Sequence, residues 1–155
     1  MCGRLWEELA DVVTMPTPQV GPVAQSLLDH QASDGTFYRF DRQSADNPEP
    51  WWYHELVTLH AMTSLAELTG DAAAMSGSQN SAAFHHAETQ PDHATGQPWG
   101  ITAFVKDPTM TPSADLLLLA AGVGRKRGGL DVVSRLLLAD ACVWLDDDLR
   151  ARAAG

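Results

Sequence analysis

The sequence predicts an all-α protein, and three observations predict it. Apolar residues recur at three- and four-residue spacing in every long segment, no segment alternates apolar and polar residues as a half-buried strand does, and Pro, Gly and polar clusters punctuate the chain between the periodic stretches. The clearest segment is Asn47 to Asp71, where Pro50 suits the first helical turn and Gly70 suits the left-handed residue that ends a helix. Trp52, Leu56, Leu59, Met62 and Leu65 line one side of it, and Tyr53, Val57, Ala61 and Leu68 fill much of the rest. A helix apolar nearly all round belongs inside other helices.

Taken in order, Leu5, Leu9, Val12 and Val13 predict a short amphipathic helix, followed by a linker in which Pro16, Pro18 and Pro22 forbid helix. Residues 1–21 are therefore expected to form a short helix and Pro-rich linker, and 22–155 one helical-hairpin domain. Pro22 opens a helix with Val23, Leu27 and Leu28 buried, Ser33-Asp34-Gly35 turns the chain, and Thr36 to Phe40 reads as a packed loop. After Gly70, Ser76-Gly77-Ser78-Gln79-Asn80 predicts a break, leaving a helix over Ala82 to Gln90 that Pro91 stops. Pro98 opens a brief helix through Trp99, Ile101 and Phe104. Thr111 and Pro112 cap a further one, Ser113 to Ala121, whose consecutive leucines Leu116 to Leu119 imply burial. Asp131 caps a final helix to about Leu145, making roughly six helices in all.

Length and composition bound the function. A chain of 155 residues is most simply one domain that buries roughly 70% of its unfolded surface. A formal charge of −10, with no basic stripe beyond Arg125-Lys126-Arg127, disfavours nucleic acid. Cys2 and Cys142 do not describe a disulfide framework. No stretch has the about 18 uninterrupted apolar residues of a membrane span. The start, with Glu7, Glu8 and Asp11, is unlike a secretory signal, so a cytoplasmic location is expected.

An internal echo links Gln31-Ala-Ser-Asp-Gly35-Thr-Phe37 to Gln90-Pro-Asp-His-Ala-Thr-Gly96-Gln-Pro-Trp99: a helix ends in Gln, a polar turn carries Gly, and an aromatic ring leads into the next element. VAQSLLDHQASDGTF, residues 23–37, resembles the QW motif of terpenoid cyclases, with Phe37 in place of the usual Trp. The stretches ELTGD and HHAETQPDHATGQPWGITAF are similar to hairpins of prenyltransferase and squalene-cyclase-like proteins. The resemblance covers about Val23 to Phe104. It implies an α/α-toroid, a ring of helical hairpins around a central cavity, and at this length an incomplete ring that self-associates or is completed by a partner. Two family features are missing. The cyclase Asp-x-Asp-Asp acid is absent, Asp146-Asp147-Asp148 being an uninterrupted run, and the zinc pair of protein prenyltransferases is matched by Asp140-Ala-Cys142 without its later His. No metal and no cofactor is expected.

The expected cavity is lined by Trp51, His54 and Trp99 as substrate-binding residues, with Asp92 and His93 as catalytic ones. Aromatic walls stack on sugar rings or stabilise cations, and a carboxylate such as Asp92 can act as acid or base. Three functions follow: a terpenoid cyclase or prenyltransferase-like domain with an isoprenoid ligand, a carbohydrate-active α/α-toroid enzyme with a sugar ligand, or a non-catalytic helical-repeat module. Other polar residues have two readings each. Asp140, between Leu136 and Trp144, is either a carboxyl in an apolar wall that could act as an acid, or part of a solvated face. His85, His86, Glu88, Asp92 and His93 supply metal-ligand types without a metal spacing, or cap helices and bond loops. Trp52 and His60 read as core, and GVGRKRGG, residues 122–129, as a solvated turn.

Overall fold

The computed structural model describes residues 17–37, 49–89, 97–118 and 131–154. Within them every regular element is helical. The helices are α1 (Thr17–His30), α2 (Glu49–Thr69), α3 (Ala72–Thr89), α4 (Ile101–Val105), α5 (residues 111–118) and α6 (Val132–Ala154), with 3-10 turns at Pro98–Gly100 and Pro108–Met110. The expected N-terminal helix around Leu5 to Val13 lies outside the described residues.

α2 holds the centre. It packs against α1, α3, α4 and the Pro98–Gly100 turn. Its buried residues, among them Trp52, Glu55, Leu56, Leu59, His60, Met62 and Ala66, cover most of its circumference. Gly70 ends it at φ +67°, a backbone angle that costs a side-chain-bearing residue energy and glycine none. Asp71 then caps α3 by accepting hydrogen bonds from the backbone of Ala73 and Ala74. α2 and α3 thus form an antiparallel hairpin across a sharp corner. One apolar cluster gathers Leu56, Leu59, Trp99, Ile101, Phe104, Leu117 and Ala141; a second gathers Ala24, Phe37, Met62, Ala66 and Ala74.

Four expectations are corrected. α1 starts at Thr17 and runs through Pro22, so no helix break separates residue 21 from 22. One turn inside a helix, proline removes a single backbone hydrogen bond, a loss that the remaining turns of α1 tolerate. The break at Ser76 to Asn80 does not occur, because α3 is continuous. Gly77 is there for close approach: a Cβ on it would stand 2.3 Å from Leu28 Cδ2, so glycine lets α1 lie against α3. Of the leucine run, Leu117 is fully buried while Leu118 is 54% exposed, since successive helical residues turn by about 100°. α6 continues past Leu145 to Ala154. Its start is as expected, with Asp131 accepting from the Ser134 amide and hydroxyl.

Candidate functional site

The corner after α1 is the first constellation that folding assembles. Gly35 adopts φ +96°, and a Cβ there would meet the Asn80 carbonyl oxygen at 2.5 Å. The turn is therefore restricted to glycine both by its backbone and by its neighbour. The Gln31 side-chain amide donates to the Gly35 carbonyl at 2.9 Å and to the Gly77 carbonyl at 2.8 Å. One side chain so ties its own turn to the middle of α3. Phe37, buried in the second cluster, donates its backbone N–H to Glu55 Oε2 on α2 at 3.1 Å.

That carboxyl is the centre of the second constellation. Glu55 and His85 are both completely buried, with His85 Nε2 3.6 Å from Glu55 Oε2. Trp52 meets the His85 ring edge-on at a centroid distance of 5.9 Å, and Phe84 does so at 5.3 Å. A charged or polar pair in such surroundings survives only with partners. Glu55 supplies one, holding the 31–37 corner and α3 against α2.

The third constellation lies across α2. His60 Nε2 stands 2.8 Å from Asp140 Oδ2 on α6, and His60 Nδ1 3.1 Å from Thr102 Oγ1 on α4. Asp140 as a carboxylate accepts, so Nε2 carries the hydrogen, and Nδ1 of a neutral ring accepts from the Thr102 hydroxyl. His60 and Thr102 are buried, whereas the Asp140 side chain is 39% exposed. Thr102 also borders a small groove of about 10 Å³ with Thr63, Ser64, Lys106 and Trp144. A hydroxyl, an imidazole and a carboxylate in that order are the residue types of a nucleophile, its base and the group that orients the base. With Thr102 buried, the arrangement serves chiefly to join three helices.

The structure separates the expected site residues. Trp51 is half-buried and packs its ring on Trp52 at 4.2 Å. His54 is exposed, edge-on to Tyr53 at 5.8 Å. Trp99 is completely buried in the first cluster, 5.7 Å from the Tyr53 ring, and lines no open surface. Trp99, at the Pro98–Gly100 turn, belongs to the same buried cluster as Leu56 and Phe104. Asp92 and His93 lie outside the described residues. The expected polar cluster is divided, since His85 faces Glu55 while His86 Nδ1 meets the Ser113 hydroxyl on α5. Among the described residues no three His, Cys, Asp or Glu side chains gather as a metal site would require. His60 and Trp52 are core residues as expected.

Comparison with protein-family models, with curated proteins and with solved structures finds no match. Burial, and after it the Asp131 carboxylate, pushes the Tyr53 hydroxyl above its ordinary range. Hydrogen bonds from Ser134, side chain before backbone, hold the Asp131 carboxyl below its own. Sequence reasoning missed Glu55. The available signal was a lone glutamate in the apolar stretch of a helix enclosed on most sides.

Proposed function

We propose that this chain is a stacked-hairpin domain of α/α-toroid type, acting as a non-catalytic binding or wall-forming unit of a larger helical ring. The observation that carries this reading is the Gln31 side chain, which bonds its own turn and the middle of α3 at once. A corner built into the next hairpin is what a stack of hairpins needs, because each hairpin must bury its apolar face on a neighbour. The residue types involved, Gln31, Gly35 and Phe37, are those on which the resemblance to the terpenoid-cyclase motif rests. The non-catalytic part of the reading is supported by the polar side chains of the interior: Glu55 and His60 both spend their bonds on joining elements.

Two measurements test it. Gln31→Ala removes two hydrogen bonds and is expected to cost about 2 kcal/mol, with amide exchange accelerating both in the 31–37 turn and around Gly77. Acceleration confined to the turn overturns the stacking role. Thermal unfolding with farnesyl diphosphate, and separately with a soluble oligosaccharide, is expected to leave Tm unchanged. A saturable rise with the diphosphate overturns the non-catalytic reading for a cyclase or prenyltransferase-like one, and a rise with the glycan for a carbohydrate-active one.

A further inference from the structure

α6, at 23 residues, is the longest helix described, and little of it is covered. Among its described side chains only Ser134 and Ala141 are buried, whereas α2, two residues shorter, buries nine. The Ser134 hydroxyl bonds Asp131 of the helix's own cap. The apolar seam against the first cluster is therefore carried by Ala141 with the partly buried Leu137 and Leu145. His60 Nε2 and Asp140 Oδ2 tie the helix to α2 at 2.8 Å, but through a carboxylate that water reaches. Beside Trp144 and Leu145 the seam is interrupted by the groove that Thr63 and Thr102 border from the other helices.

What α6 covers is polar as well as aromatic. It packs on the Pro98–Gly100 turn and on α4, which carry Trp99 and Thr102. The Trp99 indole N–H is buried and meets no acceptor among the described residues. Thr102 is buried as well, bonded to the buried ring of His60. An unmet buried donor penalises the closed arrangement, and the penalty is lifted when water reaches it. The other joints do not need this helix: Gln31 to Gly77, Phe37 to Glu55 and Glu55 beside His85 lie wholly among α1, α2, α3 and the corner between them.

We propose that α6 lifts from the rest of the fold as a unit, far more often than the whole fold comes apart, and so acts as a lid over Trp99, His60 and Thr102. Partial openings of this kind are drawn from elements with few buried apolar contacts. When α6 lifts, the Trp99 ring and its N–H, the His60 imidazole and the Thr102 hydroxyl become reachable together. The aromatic that the sequence marks as substrate-binding thereby gains a route to solvent that the closed structure denies it.

Hydrogen exchange of the full chain, read residue by residue by NMR in low denaturant, tests the lid. The α6 amides and the Trp99 indole N–H are expected to share one opening, about 10-fold or more frequent than the opening that frees the amides of Leu56 to Met62. Gln31→Ala separates the two openings, because the Gln31 bonds persist when α6 lifts and are lost only when the whole fold opens. It is expected to speed the α2 amides about 30-fold and to leave α6 and the Trp99 N–H at the parent rate. Asp140→Ala removes a tie made only in the closed state and is expected to speed α6 and the Trp99 N–H together, about 5-fold. α6 amides as strongly protected as those of α2 overturn the proposal, and so does a Trp99 N–H that exchanges with α2 while α6 merely frays. Both results are read on the parent chain, with no variant required to fold. An α6 that accelerates along with α2 in Gln31→Ala overturns it too. If Gln31→Ala speeds the 31–37 turn without Gly77, the hairpin-stack reading falls, and the parent comparison of α6 with α2 still decides the lid.

Discussion

The two histidine–carboxylate pairs on α2 sit five residues apart in sequence and in opposite environments. Glu55 with His85 is sealed from water on both sides, while His60 with Asp140 has a buried ring and a carboxylate 39% exposed. The sealed pair joins α2 to α3 and to the corner at Phe37. The open pair joins α2 to α4 and α6. Burial decides what each is worth. Removing a buried partner takes away an interaction in a medium that offers no substitute, whereas water replaces part of what an exposed carboxylate supplied. Equal chemistry in unequal solvent gives one pair a structural role and leaves the other the only one of the two that a solute can reach.

The largest expected effect breaks the sealed pair. Glu55→Ala strips the acceptor from the Phe37 amide and leaves His85 beside a void, at an expected cost of about 3–5 kcal/mol in chemical denaturation. Glu55→Gln keeps a carbonyl acceptor and is expected to cost clearly less, and equal losses for the two would sink the account. Next comes Gly35→Ala, which forces a Cβ against the Asn80 carbonyl at a positive φ. The expected loss is about 2 kcal/mol or more, exceeding that of Gly77→Ala, where only the end of the flexible Leu28 side chain must yield. The reverse order would show that the corner adjusts more easily than the helix contact.

Asp140→Ala sharpens the comparison from the open side. With water able to replace the lost acceptor in part, the expected cost is about 1 kcal/mol, well below that of Glu55→Ala. A loss as large as the sealed pair's would mean that Asp140 carries more than the joint between helices. The smallest effect concerns the cap of α6. Asp131→Ala is expected to cost about 1 kcal/mol, read as a lower Tm. The Asp131 carboxyl is held below its ordinary value by Ser134 once folded. Its contribution is therefore complete above the ordinary carboxylate range and fades as pH falls through the depressed folded value. The Tm difference between parent and variant should close over that acidic window, and a difference constant down through it would exclude the capping account.

The local rules were legible where one residue type has one strong preference. Gly70 and Asp131 marked helix ends from the sequence because a left-handed residue and an N-cap are satisfied by few side chains. Pro22 and Gly77 misled because their cost is a local average that a neighbour can outweigh: Leu28 needs the space that Gly77 leaves. Trp99 and Trp51 looked alike as exposed cavity aromatics, yet one is sealed and the other half-buried. Nothing in a single helix says which neighbour will cover it.

The sequence by itself determined that this chain is helical and that α2 is enclosed, because period and punctuation act over a few residues at a time. Only the tertiary structure decided which polar residues meet. Gln31 reaches Gly77 across 46 positions and His60 reaches Asp140 across 80, and pairings at such distances are set by how whole helices pack, a quantity that no local pattern encodes.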